Sequence, residues 1–271
     1  MIIYRNFLSD FICHEKIVFA IGMFDGVHIG HRKVLNSAKN LAKIHNARFG
    51  AFTFCGENLS FFKNKQLIYP YEYRRELLEN FGVEILCEQI FSSEFSSIAA
   101  GNFPTFLRTL FPNLCGMSVG YDFRFGKNAL GNVEILQDLF RNLDVFVVDP
   151  VEFQHEKVSS TRIRHELQSG NLFLANKLLG ENFISFGKII EINSSNDHIF
   201  FICNLDFQVL LPAKKYLTAI TLHAKKISAT AEILSKNLAK IEVDLHKNNI
   251  PINKITDNIS TNNHVQIEWI T

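Results

Sequence analysis

Near Gly180 the hydrophobic period of the chain changes, and that change limits the fold more than any other feature. Before it, β-branched or aromatic runs (Ile17–Ile21, Phe49–Phe54, Ile85–Ile90, Met117–Gly120 and Val145–Val148) alternate with amphipathic stretches of helical spacing (Lys33–His45, Tyr73–Phe81, Phe103–Phe111 and Val133–Arg141). Gly82 and Gly116 read as turn residues near helix ends. Strict alternation predicts a doubly wound parallel α/β sheet covered on both faces, with ligands at the carboxyl ends of its strands. A helical pair follows: Arg162–Gln168, capped by Ser160 or Thr161 and stopped by Gly170, then Leu172–Leu179. After Gly180 only strand-like runs remain (FGKIIEI, HIFFICNLDFQVLL, YLTAITLH, AEIL, KIEVDL and HVQIEWI), set apart by asparagine-rich turns. That pattern predicts a small all-β, barrel-like domain. The expected division is 1–183 and 184–271, and a length of 271 residues suits two domains.

Charge narrows the partners. The chain carries 28 Lys and Arg against 27 Asp and Glu, so no net field draws it to nucleic acid or an anionic membrane, and an anionic ligand must be caught locally. Its 5 cysteines are odd in number, scattered and free of any CxxC spacing, which argues against a disulfide framework or zinc site. With no apolar run at the N-terminus long enough for a signal peptide or membrane span, the expected location is the cytoplasm. Nothing in the sequence sets an oligomeric state, and a monomer is compatible with it. The 26 phenylalanines run along the whole chain, as core filling does.

One stretch carries chemistry. FDGVHIGH, Phe24–His31, lies after the first strand, KIVFAIG, and before the first helix. There the free N–H groups and positive end of a helix meet the carboxyl edge of the sheet, a natural phosphate site. Gly22 and Gly26 let the backbone approach closely, and His28 and His31, one turn apart, point to one side. A glycine turn alone is common; two histidines with a glycine between them at a helix start are more specific. A metalloprotease zinc pair is excluded in its usual form, because the spacing is i, i+3 and no HExxH glutamate intervenes. Asp25 has two readings, steering the turn or touching a magnesium-bound water.

GMFDGVHIGH resembles the GxFDGxHxGH signature of the nucleotidylyltransferase superfamily, and more narrowly the adenylyltransferase half of bacterial bifunctional riboflavin kinase/FAD synthetases. Val119–Asn132, VGYDFRFGKNALGN, is similar to that family's second glycine-rich motif, VSSTRIR (Val158–Arg164) to its third, and ANKLLGENFISFGKII to its domain junction. The resemblance implies a Rossmann-like fold and the reaction of ATP with FMN to give FAD and pyrophosphate, with Mg²⁺ held chiefly by the phosphates and no protein metal site. It implies that ATP meets Gly22, Phe24, Asp25, Gly26, His28, His31, Gly120, Ser159, Ser160, Thr161 and Arg164. Of these, His28, His31 and Arg164 are the expected catalytic residues. The flavin side falls to Asp122, Arg124 and Phe125, although Phe123 and Phe125 read equally as core. Arg162, two residues from Arg164, faces elsewhere on a helix. Adenylyl transfer asks the protein to position two partners and spread growing negative charge, which these residue types can do.

Two departures stand out. Where the family has a TFxPHP-like segment this chain has TFCGEN, with Glu57 and Asn58 in place of the His and Pro. After the junction there is no PTAN motif, and no clear match to the family's catalytic glutamate segment, for which Glu242 and Glu268 are unsupported candidates. The β domain therefore reads as a degenerate kinase barrel. Two alternatives remain: an adenylyl- or cytidylyltransferase for another phosphate, or a non-catalytic flavin-binding module.

Overall fold

The computed structural model describes residues 1–5, 11–55, 66–195, 197–206, 211–222, 225–235, 237–248, 260–261 and 263–271. These form two compact units, 1–65 with 71–158 and 66–70 with 159–271.

The first unit carries a small antiparallel pair, β7 (Glu152–Phe153) and β8 (Glu156–Lys157), besides the strands of its main sheet. Those six are β1 (Ile2–Arg5), β2 (Ile17–Ile21), β3 (Arg48–Cys55), β4 (Ile85–Ile90), β5 (Leu114–Gly120) and β6 (Asp144–Val148). They make one sheet in the order β1-β4-β3-β2-β5-β6, with every pairing parallel. Alternate residues of β2 serve opposite faces. Val18 and Ala20 pack with Val34, Leu35, Ala38 and Ala42 of α1 (Ile29–Ile44) and Leu78 of α2 (Tyr71–Phe81). Ile17, Phe19 and Ile21 pack with Phe95 of α3 (Ser93–Ser96), Leu107 of α4 (Phe103–Leu110) and Leu136 of α5 (Val133–Leu139). A central strand buried on both sides explains its uninterrupted apolar run. The chain leaves β2 for β3 on one side, while β5 lies on the other, so the order reverses between β2 and β5. In doubly wound sheets that reversal opens the ligand crevice at the carboxyl ends.

Gly116, expected at a turn, is inside β5 instead. A Cβ there would stand 2.7 Å from Leu41 Cδ2 and 3.2 Å from the Asp144 carbonyl, so this glycine lets α1 and β6 lie close. β1 escaped the pattern because it is a four-residue edge strand with exposed Ile2 and Ile3 and no alternation to read.

The second unit starts with α6 (Ser160–Ser169) and α7 (Leu172–Leu179), each ended by a left-handed glycine, Gly170 and Gly180. Six antiparallel strands follow: β9 (Ile184–Ser194), β10 (His198–Leu205), β11 (Lys215–Leu222), β12 (Lys225–Ser235), β13 (Leu238–Asp244) and β14 (His264–Trp269). They close into a barrel, β10-β13-β12-β11-β14-β9. AEIL is the second half of the longer β12, and HIFFICNL ends as a strand at Leu205; residues 207–210 lie outside the described residues. Inward residues such as Phe201, Cys203, Ile241 and Trp269 are wholly buried, so side chains fill the barrel.

Candidate active site

The first motif forms a strained turn. Gly22 N–H donates to the Phe52 carbonyl at 3.1 Å, which anchors the end of β2 to β3. Phe24 (φ 48°), Gly26 (φ 87°) and Val27 (φ 40°) all have positive φ, and Val27 N–H closes the turn on the Phe24 carbonyl at 3.2 Å. Glycine adopts that backbone freely, whereas Phe24 and Val27 do so at a cost and are held by burial, each about 1% exposed.

The turn delivers His28 to the N-cap of α1. His28 Nδ1 accepts from the His31 backbone N–H at 3.2 Å. A backbone N–H can only donate, so Nδ1 is the acceptor here and the neutral ring's proton sits on Nε2. The two imidazoles stack at 3.6 Å between centroids and 14° between planes, and Phe24 meets His31 edge-on at 5.5 Å. Gly30 is small for a reason: a Cβ there would be 3.1 Å from Cε1 and Nδ1 of His28. No acidic residue lies in the first turn of α1, so its positive end is unopposed from within the helix.

The second motif begins at the neighbouring strand tip. Ala20 on β2 is opposite Ser118 on β5, so Gly22 and Gly120, two residues further on, end their strands at one height. Gly120, Asp122 and Arg124 thus emerge on the β5 side of the crevice. Phe125 is buried against Phe103 at 5.0 Å and Phe123 at 5.8 Å, and pairs its backbone with Gly131, which makes it the loop's anchor in the core. Lys157 lies 4.6 Å over the Tyr121 ring, and its hydrogen bond with Tyr121 holds the ammonium above its usual pKa.

The third motif opens the second unit. Ser159 caps α6, its Oγ accepting from Arg162 N–H at 3.2 Å, and Ser160 and Thr161 occupy the first turn. Arg164 is buried on the same helix and its Nη2 donates to Thr161 Oγ1 at 3.4 Å. Within each unit the predicted residues converge: Gly22, Phe24, Asp25, Gly26, His28, His31 and Gly120 on one sheet edge, Ser159 to Arg164 on one helix start.

Sequence reasoning missed Arg74 and Thr53, both of which bond the Met23 carbonyl inside the first motif. The available signal was that Arg74 stands four residues before buried Leu78, on the inner face of α2. Glu57 and Asn58 lie outside the described residues. In the barrel, Glu268 accepts from Asn182 at 2.8 Å and pairs with Lys226, while Glu242 pairs with His198 at 3.2 Å. Among the described residues no group of three His, Cys, Asp or Glu can hold a metal ion, and no helix is long and apolar enough to cross a membrane.

A sequence profile described as FAD synthetase matches residues 11–162, more than half of the chain. The chain belongs to the FAD synthetase family. Among family relatives, the bifunctional riboflavin kinase/FMN adenylyltransferase of Bacillus subtilis is 32% identical over 189 residues, 65% of this chain and 57% of that one. The FAD synthetase of Listeria monocytogenes is 34% identical over 180 residues, covering 64% and 72%. The bifunctional enzyme of Buchnera aphidicola from Acyrthosiphon pisum is 27% identical over 250 residues, 90% of this chain and 78% of that one, so the likeness extends into the barrel. A crystal structure from Streptococcus pneumoniae described as a macrolide-efflux protein is 25% identical, with a TM-score of 0.80, covering 99% of this chain and 90% of the other. The chain spans less than two thirds of the first relatives it matches, at 57% and 58% of their lengths.

Proposed function

We propose that this chain is an FMN adenylyltransferase, moving AMP from ATP to FMN to give FAD and pyrophosphate. The observation that carries the reading is the stacked His28–His31 pair on the N-terminus of α1, at the point where the strand order reverses, in a member of the FAD synthetase family.

An FMN phosphate oxygen attacks the α-phosphorus of ATP in line, the bond from that phosphorus to the α,β-bridging oxygen breaks, and pyrophosphate leaves. His28 Nε2–H and His31 donate to α- and β-phosphate oxygens, where negative charge grows, and the end of α1 adds its dipole. Gly22, Phe24, Asp25, Gly26 and Gly120 shape the nucleotide side. Ser159, Ser160, Thr161 and Arg164 take the β,γ-phosphates, Arg164 as a fork-shaped cation. Asp122 and Arg124 serve the flavin side, with Phe125 holding their loop from below. Mg²⁺ arriving with ATP would be held chiefly by the phosphates and would offset their charge; Asp25 would steer the turn or bond the ion's water shell. No covalent nucleophile is required.

The adenylyltransferase domain is 1–183 and the degenerate barrel 184–271. Because the barrel lacks a PTAN motif and its Glu268 carboxylate is engaged by Lys226 and Asn182, riboflavin kinase activity is proposed to be lost. All 5 cysteines are free thiols, which suits a reducing cytoplasm, and the proposed site draws on one chain, so a monomer suffices.

Purified protein with Mg²⁺ and ATP is offered FMN or, separately, other phosphate monoesters and CTP, and pyrophosphate and FAD are measured. FAD from FMN supports the reading; release only with another acceptor or nucleotide, or none at all, overturns it. Formation of FMN from riboflavin in the same protein would overturn the loss of kinase activity.

A further inference from the structure

Behind the phosphate turn lies a buried charge cluster that belongs to none of the motifs. Arg74 on α2 is 1% exposed. Its Nη1 donates to the Met23 carbonyl at 3.0 Å and its Nη2 to the Phe54 carbonyl at 2.9 Å. Met23 follows β2 and Phe54 is near the end of β3, so one planar fork ties together the ends of two neighbouring strands. The Met23 carbonyl also accepts from Thr53 Oγ1 at 3.2 Å, and the Tyr71 ring packs on the guanidinium at 4.7 Å.

The counter-charge is Glu88, wholly buried on β4, 3.9 Å from Arg74 Nη2. Glu88 is held more tightly by others: Arg75 at 2.9 and 2.8 Å, and Arg5 at 3.1 Å. That sharing leaves the fork of Arg74 for main-chain carbonyls. Burying an ion pair adds little stability over an apolar residue of the same volume. What an apolar residue cannot do is bond two carbonyls at once. The carbonyl of Met23 immediately precedes Phe24, the first of the positive-φ residues, and such conformations persist only where their surroundings over-determine them.

We propose that Arg74 is a positioning residue that sets the phosphate-binding turn, clamping the Met23 and Phe54 carbonyls so that Phe24 to His28 leave β2 along one path. The link to catalysis rests on the adenylyltransferase reading; the clamp itself does not. A lysine keeps the charge but has no fork.

The test compares wild-type, Arg74→Lys and Thr53→Val full-length protein by amide hydrogen exchange and by steady-state kinetics with ATP and FMN. In Arg74→Lys, exchange at the Gly22 and Val27 amides is expected to speed up at least tenfold, while amides of the barrel strands stay within twofold. In the same variant kcat falls at least tenfold, with KM for FMN within about threefold. Thr53→Val shifts both readouts the same way by a smaller factor. Unchanged Val27 exchange in Arg74→Lys overturns the clamp, and faster exchange with an intact kcat overturns its role in positioning the turn for catalysis. Should Arg74→Lys fail to fold, Thr53→Val decides, and unchanged Val27 exchange there overturns it. Wild-type protein that makes no FAD overturns the activity reading instead, and the exchange rates still judge the clamp.

Discussion

The imidazoles of His28 and His31 lie nearly parallel, 3.6 Å apart, because the ring of His28 caps the very N–H that belongs to His31. One residue closes the helix start, and in doing so lays its ring flat against its neighbour's. The cap and the proposed phosphate contact therefore use opposite nitrogens of the same ring.

If charge is spread by these rings only as the transition state forms, His28→Ala and His31→Ala each lower kcat by roughly a hundredfold while KM for ATP changes by less than about fivefold. Pyrophosphate release at varied ATP checks this, and equal turnover in the variants would refute the transition-state role. His28→Ala also removes the cap of α1, a loss of about 1 kcal/mol in stability.

Gly30→Ala separates stability from activity. Alanine is the better helix residue by about 1 kcal/mol, so the first turn of α1 gains. The added Cβ, 3.1 Å from Cε1 and Nδ1 of His28, pushes that ring from its cap. Gain of propensity and loss of the cap nearly offset, so a melting temperature close to wild type together with a roughly tenfold lower kcat is the expected pair of results.

Asn176 on α7 carries three bonds: its Oδ1 accepts from Phe183 N–H at 2.8 Å, and its Nδ2 donates to Asn182 at 3.1 Å and the Trp269 carbonyl at 3.2 Å. Asn176→Leu leaves the buried Phe183 N–H without that acceptor, a cost of about 2 kcal/mol. Trp269, the single tryptophan, is wholly buried in the barrel with Nε1 on Ser185 Oγ at 2.8 Å, so its fluorescence in a urea titration reads the loss directly.

Burial pushes the Cys203 thiol up to about 12 inside the barrel, against an ordinary value of 9.0. Above pH 9 the unfolded chain gives up this proton first and binds fewer protons than the folded one, so stability falls as pH rises. The loss contributed by Cys203 is about 2 kcal/mol between about pH 9 and pH 10.5. Tyr216, also raised to about 12 by burial, adds to it only above its ordinary value of 10.0. Cys203→Ala is less stable at pH 8 because of the cavity, yet its Trp269 unfolding curve flattens over that window. An unchanged slope would show that Cys203 does not titrate on unfolding.

The strands and helices around the site were legible because each is periodic over a full element. Ile17–Ile21 and Ile85–Ile90 were readable residue for residue, and the turn between β2 and α1 announced itself through glycine and histidine spacing. Gly116 misled because a glycine that serves a close approach looks like one that serves a turn; only Leu41 and the Asp144 carbonyl beside it tell them apart. Arg74 was passed over although its spacing from Leu78 put it on the inner face, because a charged residue on a helix reads as solvated until the sheet that buries it is known.

What the sequence determined alone is therefore local: the element types, the change of period near Gly180, the glycine and histidine turn between β2 and α1, and the absence of PTAN. These depend on residues close together in the chain, where spacing alone sets the geometry. Tertiary structure decided the reversal of strand order between β2 and β5, the closure of the barrel, and the clamp of Arg74 on Met23 across 51 residues of chain. Those relations join distant segments through packing and backbone pairing, and no local period records them.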